Sequence, residues 1–356
     1  MSEIQCLPFL LTAEGRSGFK EDFSLFTLSP SLNCRSQFII VGAGWAGQTI
    51  AEEILKHSKA EILGFLDDRI GELKEVDVIG RKVPVVGDTR KMKDSLEEFC
   101  ATDLVVAITH EREDHLLKGL MEAFESEVRV HQMPDLYAQL TGKIPLKHIG
   151  EHWVLPRLRS PVVDVNSVMI NVLDYAISLL LFFGVLIPLL PLIGLIIKLD
   201  SPGPIFFVHK RVGLRGKRFT LIKFRSMSNK IGANFSVNQG DQITKWGHWM
   251  RKLRIDELPQ LINILKGEMS LVGPRPETVR LVNCYKDEIP FYKYRHMVKP
   301  GLTGWAQVNM GHVHGAEKNL QKLQYDLFFI LRRTVWLHLR ICLRTVYVAL
   351  TGFGAK

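Results

Sequence analysis

The hydrophobic pattern divides the chain into parts of unlike period. Phe38-Ile39-Ile40-Val41 is a short continuous apolar run, as a buried strand carries. It ends in Gly42-Ala43-Gly44-Trp45-Ala46-Gly47, after which Ile50, Ile54 and Leu55 recur on one face of a helix predicted over residues 48–57. A second strand is predicted over 61–66, closed by Asp67-Asp68. Further strands over 83–86, 103–108 and 128–130, with helices between them, complete a domain ending near Gly150. Residues 1–36 show no clear period and are expected to form a loose leader; residues 151–166, with Pro156 and Pro161, read as a linker.

Periodicity then gives way to uniform hydrophobicity. Residues 175–197 are 23 positions without a charge, closed by Lys198, enough for a hydrocarbon layer of roughly 30 Å. Pro188 and Pro191 lie inside this stretch, so a straight span and a broken, re-entrant hairpin are both compatible with it. Further on, Leu327, Ile330, Leu331, Trp336, Leu339, Leu343, Val346 and Leu350 recur at helical spacing among Arg332, Arg333, Arg340 and Arg344. That pattern suits a basic amphipathic helix lying on a membrane, or a surface helix docked on the domain.

Composition narrows the picture. A length of 356 residues suggests two domains, and 46% hydrophobic against 23% charged residues excludes disorder. The net charge of +9 favours an anionic partner. Residues 198–225 hold eight Lys or Arg against one Asp, directly beside the apolar segment, which is the pattern of a cytoplasmic-leaflet contact. Nucleic acid is disfavoured, because the cations flank an apolar stretch and form no aromatic-interleaved groove. The cysteines, Cys6, Cys34, Cys100, Cys284 and Cys342, contain no C-x-x-C and imply a reducing compartment. The apolar patch at residues 6–12 follows Glu3 and lacks a signal peptide's basic start, so export is not expected.

Two motifs carry chemistry. The strand, glycine turn and helix around Gly42, Gly44 and Gly47 have the context in which backbone approaches a pyrophosphate at a helix N-terminus. Asp67, twenty residues after Gly47, is placed for a ribose hydroxyl. This is a Rossmann-like reading with a nucleotide-type ligand. The second motif is the adjacent pair Asp256-Glu257 amid Arg251, Lys252 and Arg254, with Asp256 the expected N-cap of a helix running to about Leu265. Helix dipole and cations favour ionised carboxylates there, fit to act as a nucleophile or a magnesium ligand.

From about Met169 onwards the sequence resembles the bacterial sugar transferases, the monotopic polyprenyl-phosphate phosphoglycosyl transferases. The resemblance lies in Lys198-Leu199-Asp200-Ser201-Pro202-Gly203-Pro204, Lys210-Arg211-Val212-Gly213, Lys223-Phe224-Arg225-Ser226-Met227, Asp256-Glu257-Leu258-Pro259-Gln260-Leu261, Met269-Ser270-Leu271-Val272-Gly273-Pro274-Arg275-Pro276 and Lys299-Pro300-Gly301-Leu302-Thr303-Gly304-Trp305. Residues 37–160 look like the Rossmann-like domain that precedes the catalytic domain in larger members. The implied fold is α/β: a Rossmann-like parallel sheet over 37–150, then a mainly helical monotopic membrane domain over 167–356, with a re-entrant helix at about 172–198 broken at Pro191.

The resemblance also implies a reaction. Asp256 would attack the sugar-linked phosphorus of a nucleoside diphosphate sugar, a UDP-sugar, and polyprenyl (undecaprenyl) phosphate would then take the phosphosugar from the aspartyl enzyme. Glu257 would bind Mg²⁺ or position the phosphates, and Arg211, Arg225, Arg275 and Arg295 are the candidate phosphate contacts. The expected partners are UDP-sugar, polyprenyl phosphate and membrane lipids, on the cytoplasmic face of a bacterial inner membrane. A sugar-nucleotide epimerase or dehydratase could claim the glycine turn, but none of the seven tyrosines has Lys four residues later. A nucleotide-sensing membrane scaffold would have no need of Asp256-Glu257. The first domain is left to regulate, dock a partner or support a homodimer.

Overall fold

The computed structural model describes residues 36–69, 73–108, 114–125, 128–157, 165–228, 243–310 and 316–351. The expected leader, apart from Ser36, lies outside them. The N-terminal half runs β1 (Gln37–Val41), α1 (Trp45–His57), β2 (Glu61–Leu66), β3 (Glu75–Val78), β4 (Arg81–Gly87), α2 (Met92–Glu98), β5 (Asp103–Val106), α3 (Asp114–Glu125), β6 (Arg129–Gln132) and α4 (Met133–Thr141). Its sheet has the order β3-β4-β2-β1-β5-β6. All pairings are parallel except that of β3, which folds antiparallel onto β4. The continuous apolar run of β1 follows from its central place. Phe38 and Ile40 pack with Ile50, Ile54 and Phe65 on one face, while Ile39 and Val41 pack with Leu66, Leu104 and Val106 on the other.

The segment read as a linker begins with ordered structure. Helix α5 (Glu151–Val154) and a 3₁₀ turn (Leu155–Arg157) seat Trp153 and Val154 in the C-terminal core. Residues 158–164 lie outside the described residues. The apolar segment is a helical run of 36 residues, Val165–Asp200, long and apolar enough to cross a membrane. It comprises α6 (Val165–Leu181), a π turn (Phe182–Leu186) and α7 (Ile187–Asp200).

Pro191 sits inside α7 without ending it; the departure from α geometry falls earlier, in the π turn that precedes Pro188. A proline ring clashes with the carbonyl four residues back, here that of Gly184, and a widened turn relieves the clash. Ile170, Asp174 and Ser178 are buried on α6, and Ile193, Gly194 and Ile197 on α7. Between and around them Leu179, Leu180, Phe183, Leu189, Leu192 and Leu195 are exposed.

The remaining elements are a hairpin of β7 (Phe206–Val212) and β8 (Arg218–Phe224), α8 (Lys245–Lys252), a 3₁₀ turn (Ile255–Gln260), α9 (Leu261–Leu265), β9 (Ser270–Val272), α10 (Val279–Glu288), a 3₁₀ turn (Tyr292–Met297), β10 (Gly301–Thr303), α11 (Trp305–Met310), α12 (Ala316–Leu331) and α13 (Val335–Thr351). The pattern read as one basic helix, from Leu327 to Leu350, is therefore two, separated at Arg332-Arg333-Thr334. On α13 Leu337, His338 and Ile341 are buried while Trp336, Leu343, Val346 and Tyr347 are exposed, so one face docks and the other is left open. The halves meet where the Trp305 indole donates to the Gly142 carbonyl (2.8 Å) and the Ile144 N–H to the Gln324 carbonyl (3.1 Å).

Candidate active site

Helix α8 ends at Lys252; two residues on, Arg254 has a left-handed backbone (φ 56°), and this reversal starts the 3₁₀ turn that carries Asp256 and Glu257 in its first turn. Asp256 is thus inside the turn and not its N-cap; Arg254 holds that position, and Pro259 keeps the first turn from winding into α9. Asn263 of α9 ties this turn to the hairpin. Its amide donates to the Thr220 carbonyl (2.8 Å) and its oxygen accepts from the Ile222 N–H (3.2 Å).

Lys223, next along β8, consequently reaches the acid pair. Its Nζ lies 2.8 Å from Glu257 Oε1 and 4.0 Å from Asp256 Oδ2. Arg275 Nη2 lies 2.8 Å from the same Glu257 oxygen.

The two carboxylates are driven apart electrostatically. For Glu257, burial favours protonation, but Arg275 and Lys223 overcome it and hold the carboxyl well below its ordinary range. For Asp256, burial and the like charge of Glu257 outweigh Lys223, Arg251 and Arg275 and push its carboxyl up to about 6. Glu257 is a locked anion, whereas Asp256 accepts no hydrogen bond among the described residues and is close to neutral pH in its titration. One carboxylate is structural charge; the other is available.

The four candidate arginines divide into two pairs. Arg211, on β7, faces Glu257, Arg275 and Glu277; its Nη1 donates to the Pro276 carbonyl (3.2 Å), and its buried Nε makes no hydrogen bond. Arg275 faces both acids. Arg225 is instead buried at the end of α7, donating to the carbonyl of Ile197 (3.3 Å) and, just past the helix, to those of Ser201 and Pro202 (3.1 Å), which have no helical partner. Arg295 is buried against Asp326 (2.9 Å), the Tyr292 hydroxyl (2.8 Å) and the Arg275 carbonyl (3.2 Å). The phosphate contact expected of these last two gives way to scaffold partners.

Lys223, Glu277, Lys322 and Asp326 were not singled out from the sequence. Lys223 lies two residues before Arg225 in Lys223-Phe224-Arg225-Ser226-Met227, so only its place in that motif marks it. Lys322 and Asp326 are four apart on α12, a spacing that shares a helix face.

The donor set fits a magnesium ion. Asp256 has no hydrogen-bond donor among the described residues, so its oxygens are open to coordination beside the Glu257 carboxylate. Magnesium commonly takes only one or two carboxylates and fills its other positions with water and substrate phosphates. Among the described residues no group of three or more His, Cys, Asp or Glu is assembled for a metal.

At the glycine turn, Gly42 has φ 98°, and a Cβ on Gly47 would lie 1.9 Å from the Gly42 carbonyl oxygen. Gly44, the N-cap of α1, faces open space. Asp67 accepts from the Ala43 N–H (2.9 Å) and from Arg69 (2.9 Å), so both its oxygens are engaged. Burial alone would raise its carboxyl, but Arg69 and the Ala43 N–H bring it below its ordinary value.

Two family profiles match the chain. The N-terminal domain of PglD matches residues 37–112, and the bacterial sugar transferase profile matches residues 165–352. A UDP-N-acetylgalactosamine-undecaprenyl-phosphate N-acetylgalactosaminephosphotransferase of Aeromonas hydrophila is 38% identical over 258 residues, 70% of this chain and 60% of that protein. UDP-glucose:undecaprenyl-phosphate glucose-1-phosphate transferases are similar too. That of Xanthomonas campestris pv. campestris is 33% identical, covering 74% of this chain and 56% of its own length. That of Escherichia coli (strain K12) is 31% identical, covering 88% and 71%. The chain thus spans somewhat over half the length of the first two relatives. The profile match takes in the acid pair, Lys223 and both site-facing arginines, and with it the chain belongs to the bacterial sugar transferase family.

Proposed function

We propose that this chain transfers a sugar-1-phosphate from a UDP-sugar to undecaprenyl phosphate at a membrane surface, through a phosphosugar-aspartyl intermediate. The observation that carries the reading is the divided acid pair: Glu257 locked by Lys223 and Arg275, Asp256 lifted to about 6 and free of hydrogen bonds among the described residues. A carboxylate of raised basicity that is still mostly ionised at neutral pH suits nucleophilic attack.

In the first step an Asp256 oxygen bonds to the sugar-linked phosphorus and the bond to the bridging oxygen breaks, expelling UMP. In the second, an oxygen of undecaprenyl phosphate bonds to that phosphorus, the aspartyl bond breaks, and the carboxylate returns. Arg275 and Arg211 orient the diphosphate and offset its charge. Lys223, with Arg275, keeps Glu257 ionised. Asp256 and Glu257 would hold Mg²⁺, which when bound supplies further neutralisation of phosphate charge.

A membrane location, with the site on the cytoplasmic face of the inner membrane, is supported by the exposed apolar faces of α6 and α7. It is supported further by Trp246, Trp249 and Leu253 exposed on and after α8 beside Lys245 and Lys252, and by Phe207 and Val208 exposed on β7. A re-entrant course is supported by burial: α6 packs on α9, β9 and α13, and α7 on α8, so both ends of the apolar run rest on one domain. Cysteines placed just before Tyr175 and just after Ile197 should be labelled from the same side; labelling from opposite sides would mean a true span.

The N-terminal half is read as a docking or regulatory domain, because Asp67, the residue expected on a ribose hydroxyl, is engaged by Ala43 and Arg69. The reaction is tested by UMP release from a panel including UDP-glucose and UDP-N-acetylgalactosamine, with undecaprenyl phosphate and Mg²⁺. Release should occur with at least one donor and be lost in Asp256→Asn. An active Asp256→Asn enzyme would overturn the nucleophile.

A further inference from the structure

Behind Arg275 lies a second charged cluster that the reaction does not use. Arg275 and Glu277 are alternate residues of a segment stiffened by Pro274 and Pro276. The residue before a proline is held extended, so Arg275 and Glu277 leave the chain on the same side. Arg275 turns to Glu257, whereas Glu277 turns to Lys322 of α12, which contacts its Oε1, with Arg295 Nη1 3.6 Å from that same oxygen. The backbone of this segment is held from the other side by β7. The Val212 N–H donates to the Glu277 carbonyl (3.0 Å), Arg211 bridges to Thr278, and Arg211 Nη1 donates to the Pro276 carbonyl (3.2 Å).

Arg211 and Arg275 are therefore two cations on neighbouring segments, and Glu277, like Glu257, is a carboxylate that faces both; unlike Glu257 it is pinned from behind, by Lys322 and Arg295. Burial would raise the Glu277 carboxyl, but Lys322 and Arg295 hold it at about 2, so it stays an anion at any working pH.

We propose that Glu277, fixed by Lys322, is a positioning residue that sets Arg211 and Arg275 at the spacing a diphosphate requires. The inference rests on the phosphoglycosyl transfer reading above. Glu277 touches no reacting atom in that reading, so its loss acts on substrate binding. The sign of the effect separates this role from bulk electrostatics. Removing a negative charge beside an anion site should tighten diphosphate binding if only charge matters, and weaken it if arginine placement matters.

The experiment measures KM for the UDP-sugar, kcat, and UDP affinity by calorimetry in the detergent-solubilised full chain, with thermal melting as a control. Glu277→Gln should raise KM and the UDP dissociation constant at least about tenfold with kcat within about threefold. Lys322→Met should do the same, and the double variant should be no worse than either single one. Lys322→Arg, which keeps the pair, should stay near wild type. If Glu277→Gln does not fold, Lys322→Met against Lys322→Arg decides alone. Unchanged or tighter UDP binding in Glu277→Gln, additive losses, or Lys322→Arg as impaired as Lys322→Met would overturn the proposal. An inactive wild type whose UDP affinity still falls in Glu277→Gln and Lys322→Met would refute the transfer reading and leave this one standing.

Discussion

Arg295 offers the sharpest test of the assignment of roles within the charged cluster. The arginine and its partner Asp326 have side chains only 3% and 2% exposed, and they meet at 2.9 Å. Replacing Arg295 by Met strands the Asp326 carboxylate in an environment that already disfavours its charge, and it also strips hydrogen bonds from the Tyr292 hydroxyl and the Arg275 carbonyl. Breaking a buried pair from one side costs about 3–5 kcal/mol. For a unit of this size each kcal/mol moves the melting temperature by roughly 2–4 °C, so a fall of about 10 °C is expected in a thermal-shift assay of the detergent-solubilised protein. Arg295→Met with Asp326→Leu removes both charges and fills the volume with apolar atoms, and should recover at least half of that loss. A residue that instead binds substrate phosphate would behave oppositely. Arg295→Met would melt like wild type while KM for the sugar nucleotide rose, and that result would refute the scaffold role.

Other predictions follow from the same geometry. Because Asp256 must be ionised to attack and its carboxyl is raised to about 6, kcat should fall as pH drops through about 6, with Glu257 still charged. Removing a cation raises a carboxyl further, so Lys223→Met should move that limb to higher pH; an unmoved limb would sink the assignment of Asp256. At the glycine turn, Gly47→Ala drives a Cβ to 1.9 Å from the Gly42 carbonyl and should cost about 1–3 kcal/mol, while Gly44→Ala, facing open space, should melt near wild type. Equal stability of the two variants would remove the packing argument.

What the sequence revealed follows from how local each signal is. The strand run at 38–41, the glycine turn and the Asp256-Glu257 pair are contiguous, and their period or adjacency was readable directly. β3 was missed because Glu75-Val76-Asp77-Val78 is short and its burial depends on pairing with β4. The arginines were harder, since charge type does not say which carbonyl or carboxylate will be nearest. Arg225 proved to satisfy a helix end and Arg295 a buried acid, partners 24 and 31 residues away. Lys223 reaches Glu257 across 34 residues through a contact made by Asn263, so no spacing rule along the chain could have selected it.

The π turn at Phe182–Leu186 has a consequence for rotational phase. In an unbroken α-helix each residue advances about 100°, so Ile193 and Ile197 would lie about 100° and 140° around the axis from Asp174. The Ile187 N–H reaches back five residues to the Phe182 carbonyl, and a turn of that kind absorbs one extra residue. Skipping one step brings Ile193 and Ile197 to about 0° and 40°, onto the stripe that Asp174 and Ser178 already occupy. The insertion is thus a phase correction that lets a single 36-residue helix turn one face to the protein at both ends. Deleting Gly184 would return the turn to α geometry with the stripe intact, whereas inserting one residue there would swing the α7 stripe away from the domain.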